Sequence, residues 1–102
     1  MSQTLKKKLQ HTDWQIGDAE DFLQLSSEES ALIDIRLALS QAAKQSRIKQ
    51  DLSQAELAQR MKSSQSRIAK IEAADPSVSI DLMVKALVAA GAGRREIAQA
   101  LR

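Results

Sequence analysis

LSQAELAQRMKSSQSRIAKIEA, residues Leu52 to Ala73, carries two helix starts in quick succession. Ser53 followed by Glu56 is the pattern of a capping box, in which hydroxyl and carboxylate each satisfy one orphan amide at a helix N-terminus. A short helix is expected from there to about Met61. Lys62 to Ser64 is polar, and Ser64 is suited to cap a second helix over residues 64–73, running through Ile68 and Ile71.

Two short helices separated by about three residues make a helix-turn-helix interval, here spanning Gln54 to Glu72. Helices that cross so closely need a small residue at the crossing and apolar residues on their inner sides. Ala58 supplies the first, and Leu57, Met61, Ile68 and Ile71 supply the second. The outer side of the second helix is left with Gln65, Ser66, Arg67 and Lys70, all able to hydrogen-bond a base edge or a phosphate. The same four residues also suit an ordinary solvated face on a domain used only for protein contacts.

Outward from this stretch, glycine and proline are scarce and good helix formers abundant, so the expected class is all-α. On the N-terminal side, Ser26 and Glu29 fit another capping box, opening a long helix with apolar positions Leu32, Ile35, Leu39 and Ala42 or Ala43. On the C-terminal side, Ala74 to Ser77 reads as a turn around Pro76. Ser79 caps a fourth helix, with Asp81 near its positive end and Gly91 suited to close it in the left-handed conformation. A last short helix is expected over Arg94 to Leu101. Before the long helix, Trp14 to Leu25 is compatible with a short helical turn near Asp18, and Met1 to Asp13 is a polar lead-in.

The net charge is only +2, but it is unevenly placed. Met1 to Ser30 sums to −3, whereas Lys44 to Lys70 holds seven basic residues against Asp51 and Glu56. Such a stripe suits phosphate binding, or is a solvated helix face. With no cysteine, disulfides and thiolate metal sites are excluded and a cytoplasmic location is the easier reading. His11 stands alone, and no nucleophile–base pair, metal cluster or phosphate-cradling glycine loop appears, so no catalytic residue, metal or cofactor is expected and the chain does not read as an enzyme. The longest apolar stretch, Leu82 to Ala92, is interrupted by Lys85 and is far short of the roughly 20 residues that span a bilayer; no membrane partner is expected. Met1 to Gln10 lacks the apolar region of a signal peptide.

Leu52 to Ala73 resembles the helix-turn-helix of the Xre/Cro phage-repressor-like family. Asp75-Pro76-Ser77 and the series Leu82, Ala86, Leu87, Gly91 are similar to the fourth helix of that family, so the likeness covers roughly Leu37 to Leu101. With the five helices counted above, it implies a repressor-like DNA-binding domain over 31–102; the short helical extension in 1–30, read from its own residues, lies outside the likeness. It implies further that Gln54 opens the first helix, touches a phosphate and braces Gln65. Gln65, Ser66 and Arg67 would face base edges in the major groove, glutamine being suited to adenine, and arginine either to guanine or simply to a phosphate. Ser64 and Lys70, with Arg47, Lys49 and Lys62, would contact phosphates. The implied function is a sequence-specific transcriptional regulator, a repressor, acting as a homodimer on double-stranded DNA with a two-fold symmetric operator. Two positions depart from the family pattern: Lys62 stands where glycine is usual, and Ser63 where an apolar residue is usual. A positive φ at Lys62 would carry a strain on the order of 1 kcal/mol.

Both aromatics, Trp14 and Phe22, lie in the acidic stretch outside the resemblance. Either they add a layer of core over the long helix, or they anchor a basic partner. The second reading connects to the HigA-type antitoxins, which this chain resembles in size and in that extension; they pair a compact repressor domain with a small basic RNase toxin and repress their own operon.

Overall fold

Five α-helices follow one another in the computed structural model, which describes residues 26–102: α1 (Ser27–Lys49), α2 (Gln54–Arg60), α3 (Gln65–Glu72), α4 (Ile80–Ala89) and α5 (Arg94–Ala100). Among the described residues every regular element is a helix, as composition and capping signals require. None is long and apolar enough to cross a membrane. The turn expected near Asp18, with Trp14 and Phe22, lies outside the described residues.

The chain divides into two compact units, 1–37 and 38–102, with the boundary inside α1. In the first, Ser26 opens α1: its Oγ accepts from the Glu29 amide at 3.0 Å and donates to the Glu29 carboxylate at 3.2 Å. The carboxylate thus closes on the hydroxyl, where the expected box would have it reach the Ser26 amide. Leu32 and Ile35, assigned from spacing to the apolar stripe, are 45% and 39% exposed.

The second unit holds the core. Leu39 and Ala43 of α1 meet Leu57 and Ala58 of α2, Ile68 and Ile71 of α3, and Met83, Ala86 and Leu87 of α4, with Val78, Ala90 and Ala92 filling the connections. Each large aliphatic side chain buried here stabilises the fold by about 1.5–3 kcal/mol relative to its exposed state. Ala58 is buried at the α2–α3 crossing, where a longer side chain would hold the helices apart.

Helix starts follow the capping signals. Ser53 and Glu56 form both halves of their box, with the Glu56 amide donating to Ser53 Oγ at 3.0 Å and the Ser53 amide to Glu56 Oε1 at 2.9 Å. Ser79 Oγ accepts from the Leu82 amide at 3.1 Å. At α5 the cap is Gly93, which has no side chain to contribute, and Glu96 supplies the remaining half by accepting from the Gly93 amide at 2.8 Å.

Four helix ends share one device, which glycine announces only at Gly91. After α1, α2, α3 and α4 the chain places Asp51, Lys62, Ala74 and Gly91 at positive φ, 59°, 53°, 55° and 96°. Each is followed by a residue whose amide reaches back five positions: Leu52 to Arg47, Ser63 to Ala58, Asp75 to Lys70 and Ala92 to Leu87, at 2.8–3.0 Å. These are four Schellman closures, and only the last uses glycine. At Lys62, lysine tolerates the conformation because the Ser63 amide bond at 2.8 Å and the packed α2–α3 pair over-determine it. Lys62→Gly is therefore expected to raise stability by about 0.5 kcal/mol, strain relief outweighing the entropy that glycine adds to the unfolded chain. Gly91→Ala is expected to lower it by about 1 kcal/mol or more, since an added Cβ would lie 3.2 Å from Gln50 Nε2 on a backbone that disfavours it. Urea midpoints moving together in one direction would contradict the pair.

The Glu56 carboxyl is held below its ordinary value of 4.5, first by the Ser53 amide and then by the Ser53 hydroxyl. A carboxylate depressed in the folded state adds stability above its unfolded pKa and loses it as pH falls through the folded one. Glu56→Gln should thus be less stable than the parent at pH 7, and the gap should close below about pH 4.5. Urea midpoints at pH 7 and pH 3 check this; an equal gap at both would show the charge to be irrelevant.

Candidate nucleic-acid interface

Ser64 starts α3 with an extended backbone, φ −98° and ψ 154°, and its Oγ accepts from the Arg67 amide at 3.2 Å. The helix proper runs Gln65–Glu72, with Ser64 and Ala73 as its caps. Ile68 and Ile71 are fully buried, so the rotation of α3 about its axis is determined. At 100° per residue, Ser66 then stands opposite the buried seam, with Ala69 and Gln65 to one side of it and Lys70 and Arg67 to the other. All five are exposed. Ser66 Oγ lies 3.4 Å from Ser64 Oγ. Lys62, in the turn that leads into α3, is exposed as well. The structure thus brings together Lys62, Ser64, Gln65, Ser66, Arg67 and Lys70 on one short helix and its approach. The exposed methyl of Ala69 belongs to the same face; sequence reading passed over it because a lone alanine carries no polar signal.

Two expected residues have other partners. Arg47 does not face outward with the phosphate candidates. Its Nε donates to Glu72 Oε2 at 2.6 Å and its Nη2 to Oε1 at 3.1 Å, while Nη1 donates to the Leu52 carbonyl at 2.7 Å. The pair is nearly enclosed, with side chains 12% and 5% exposed. Gln54 was expected to brace Gln65; instead its Nε2 donates to Glu72 Oε1 at 3.1 Å. Glu72 thereby ties the end of α1 and the start of α2 to the end of α3. Bidentate geometry and a third donor are what make an enclosed carboxylate tolerable. Glu72 was missed because its partners lie 18 and 25 residues away, beyond any local spacing rule.

Lys49 is exposed at the end of α1 and stands by α5, in a shallow groove with Gln45, Glu96 and Gln99. Its charge helps to hold the Glu96 carboxyl below 4.5, after the larger effects of the Glu96 and Gly93 amides and of Arg95. Trp14 and Phe22 lie outside the described residues.

A family model described as Helix-turn-helix matches residues 44–99, more than half of the chain and all of α2 to α4. No curated protein and no solved structure matches the chain significantly.

Proposed function

Because the chain belongs to the Xre/Cro-like helix-turn-helix family of DNA-binding transcriptional regulators, we propose that it is a repressor that reads the major groove with α3 and binds a two-fold symmetric operator as a homodimer. The observation that carries this reading is the exposed face of α3, Gln65 to Lys70, set opposite a fully buried Ile68–Ile71 seam. Gln65, Ser66 and Arg67 sit at the end of the helix that enters the groove first, and they carry the base contacts. Ala69 has the size to approach a thymine methyl. Lys70 and Lys62 hold phosphates; at Lys62 the strain of positive φ is exchanged for a cation beside the reading helix. Ser64 and Gln54 add polar phosphate contacts, and Lys49 is the outlying candidate. Arg47 supports the reading head from within.

Dimerisation follows from scale. Eight residues of helix extend about 12 Å, so one copy touches only a few base pairs. Two copies related by a two-fold axis read half-sites one helical turn, or a multiple of it, apart.

The experiment is selection of bound genomic fragments by the full chain, followed by transcription from a promoter that contains the recovered site. A common palindrome and reduced transcription are expected. Recovery of no shared site would sink the reading.

A second reading adds a toxin partner to the same DNA activity. Trp14 and Phe22, within an acidic stretch, have the composition of anchors for a small basic protein. Co-purification of such a protein with the parent chain, lost on Trp14→Ala, would favour this antitoxin reading.

A further inference from the structure

Between the end of α2 with its following turn and α4 lies an open groove of about 540 Å³, within the size range of ligand clefts. Arg60, Lys62, Arg67 and Lys85 line it, and no acidic residue does. Its remaining surface is largely apolar: Leu82 and Val88 project into it from α4, and Val88 is 58% exposed although nothing in the core uses it. Arg60 Nη1 donates to the Ala89 carbonyl at 3.2 Å, which holds that guanidinium against the end of α4.

We propose that this groove docks an acidic amphipathic helix of a partner protein and that docking competes with DNA; the competition rests on the DNA-facing role given above to Lys62 and Arg67. Three occupants differ in what they ask of the surface. Duplex DNA accounts for the four cations but gains nothing from Leu82 and Val88. A second copy seated by two-fold symmetry would set four cations against the same four, a repulsive contact. An acidic helix matches both features, with carboxylates against the cations and apolar anchors at helical spacing over Leu82 and Val88. The groove is open, which suits a helix laid on the surface better than a small molecule that needs most of its own surface buried.

The test uses the full chain and a fluorescein-labelled synthetic helix of about 18 residues, with Leu at i, i+3, i+4 and i+7 and Glu at the positions that flank this stripe on both sides. Fluorescence anisotropy should show binding that Val88→Glu and Lys85→Glu each weaken about tenfold or more, and by a clearly larger factor than either weakens duplex DNA. Arg67→Ala should weaken both ligands, and duplex DNA should displace the peptide. Circular dichroism of the two surface variants should match the parent. Docking is overturned if the peptide fails to bind, if Val88→Glu binds it as well as the parent, or if a peptide with Ala for every Leu binds equally. It is also overturned if Lys85→Glu costs DNA affinity as much as peptide affinity, which would assign the groove to the DNA surface, or if Val88→Glu dissociates a homodimer. Groove-dependent peptide binding by a chain that binds no DNA would retain the docking and overturn the competition.

Discussion

Glu72→Ala is expected to lower the free energy of unfolding by about 3 kcal/mol, the cost of leaving an enclosed arginine without its counter-charge. The substitution strips Arg47 of two charge-assisted bonds and Gln54 of one, in a site where Arg47 is only 12% exposed. A loss of that size is a large share of the 5–15 kcal/mol typical of a folded domain, and in one this small it moves the melting temperature by on the order of 15 °C. Arg47→Met with Glu72→Leu should recover most of it, because replacing both charges with apolar groups removes the desolvation penalty along with the attraction. Thermal or urea unfolding measures all three proteins. A single substitution costing less than about 1 kcal/mol would place the pair with ordinary surface ion pairs.

Gln65→Ala and Lys70→Ala are expected to damage DNA binding in different ways. Gln65 is assigned to a base edge, so its truncation should cost about 1–3 kcal/mol on the preferred site and little on other sequences, relaxing discrimination at one base step. Lys70 is assigned to the backbone. Its truncation should weaken every sequence alike and reduce the slope of log affinity against log salt by about 0.9, one phosphate contact's worth of released counterions. Both residues are exposed on α3, so neither change should alter stability by more than about 0.5 kcal/mol. Equal, sequence-independent losses for the two would contradict the assignment of roles.

What was legible in the sequence divides along physical lines. Helix starts were, because Ser53, Ser64 and Ser79 cap amides only three residues away, and such signals are local. The inner and outer sides of α3 were legible from the Ile68–Ile71 step. Helix ends were less so: Gly91 announced one left-handed closure, but Asp51 and Ala74 adopt the same conformation without a glycine, in turns closed by the Leu52 and Asp75 amides. The stripe of α1 was over-read. Leu32 and Ile35 belong to the same series of three- and four-residue steps as Leu39 and Ala43, yet among these four described residues only the latter two are buried. Within the reading head, residue types named the outward set, but charge alone could not separate a cation that meets solvent from one committed inside. Arg47 and Lys70 look alike in the stripe; the distant Glu72 separates them. The groove along α4 was likewise invisible, because Lys85 and Val88 belong to it only through the placement of Arg60 and Lys62.

The central claim, that α3 enters the major groove in two symmetric copies, is tested most directly by methylation interference on the selected site. Dimethyl sulfate marks guanine N7 in the major groove and adenine N3 in the minor groove. The account predicts that N7 methylation blocks binding in two clusters related by a two-fold axis, their centres about one helical turn or a whole multiple of it apart. Interference confined to adenine N3, or a single cluster without a symmetric mate, would contradict it.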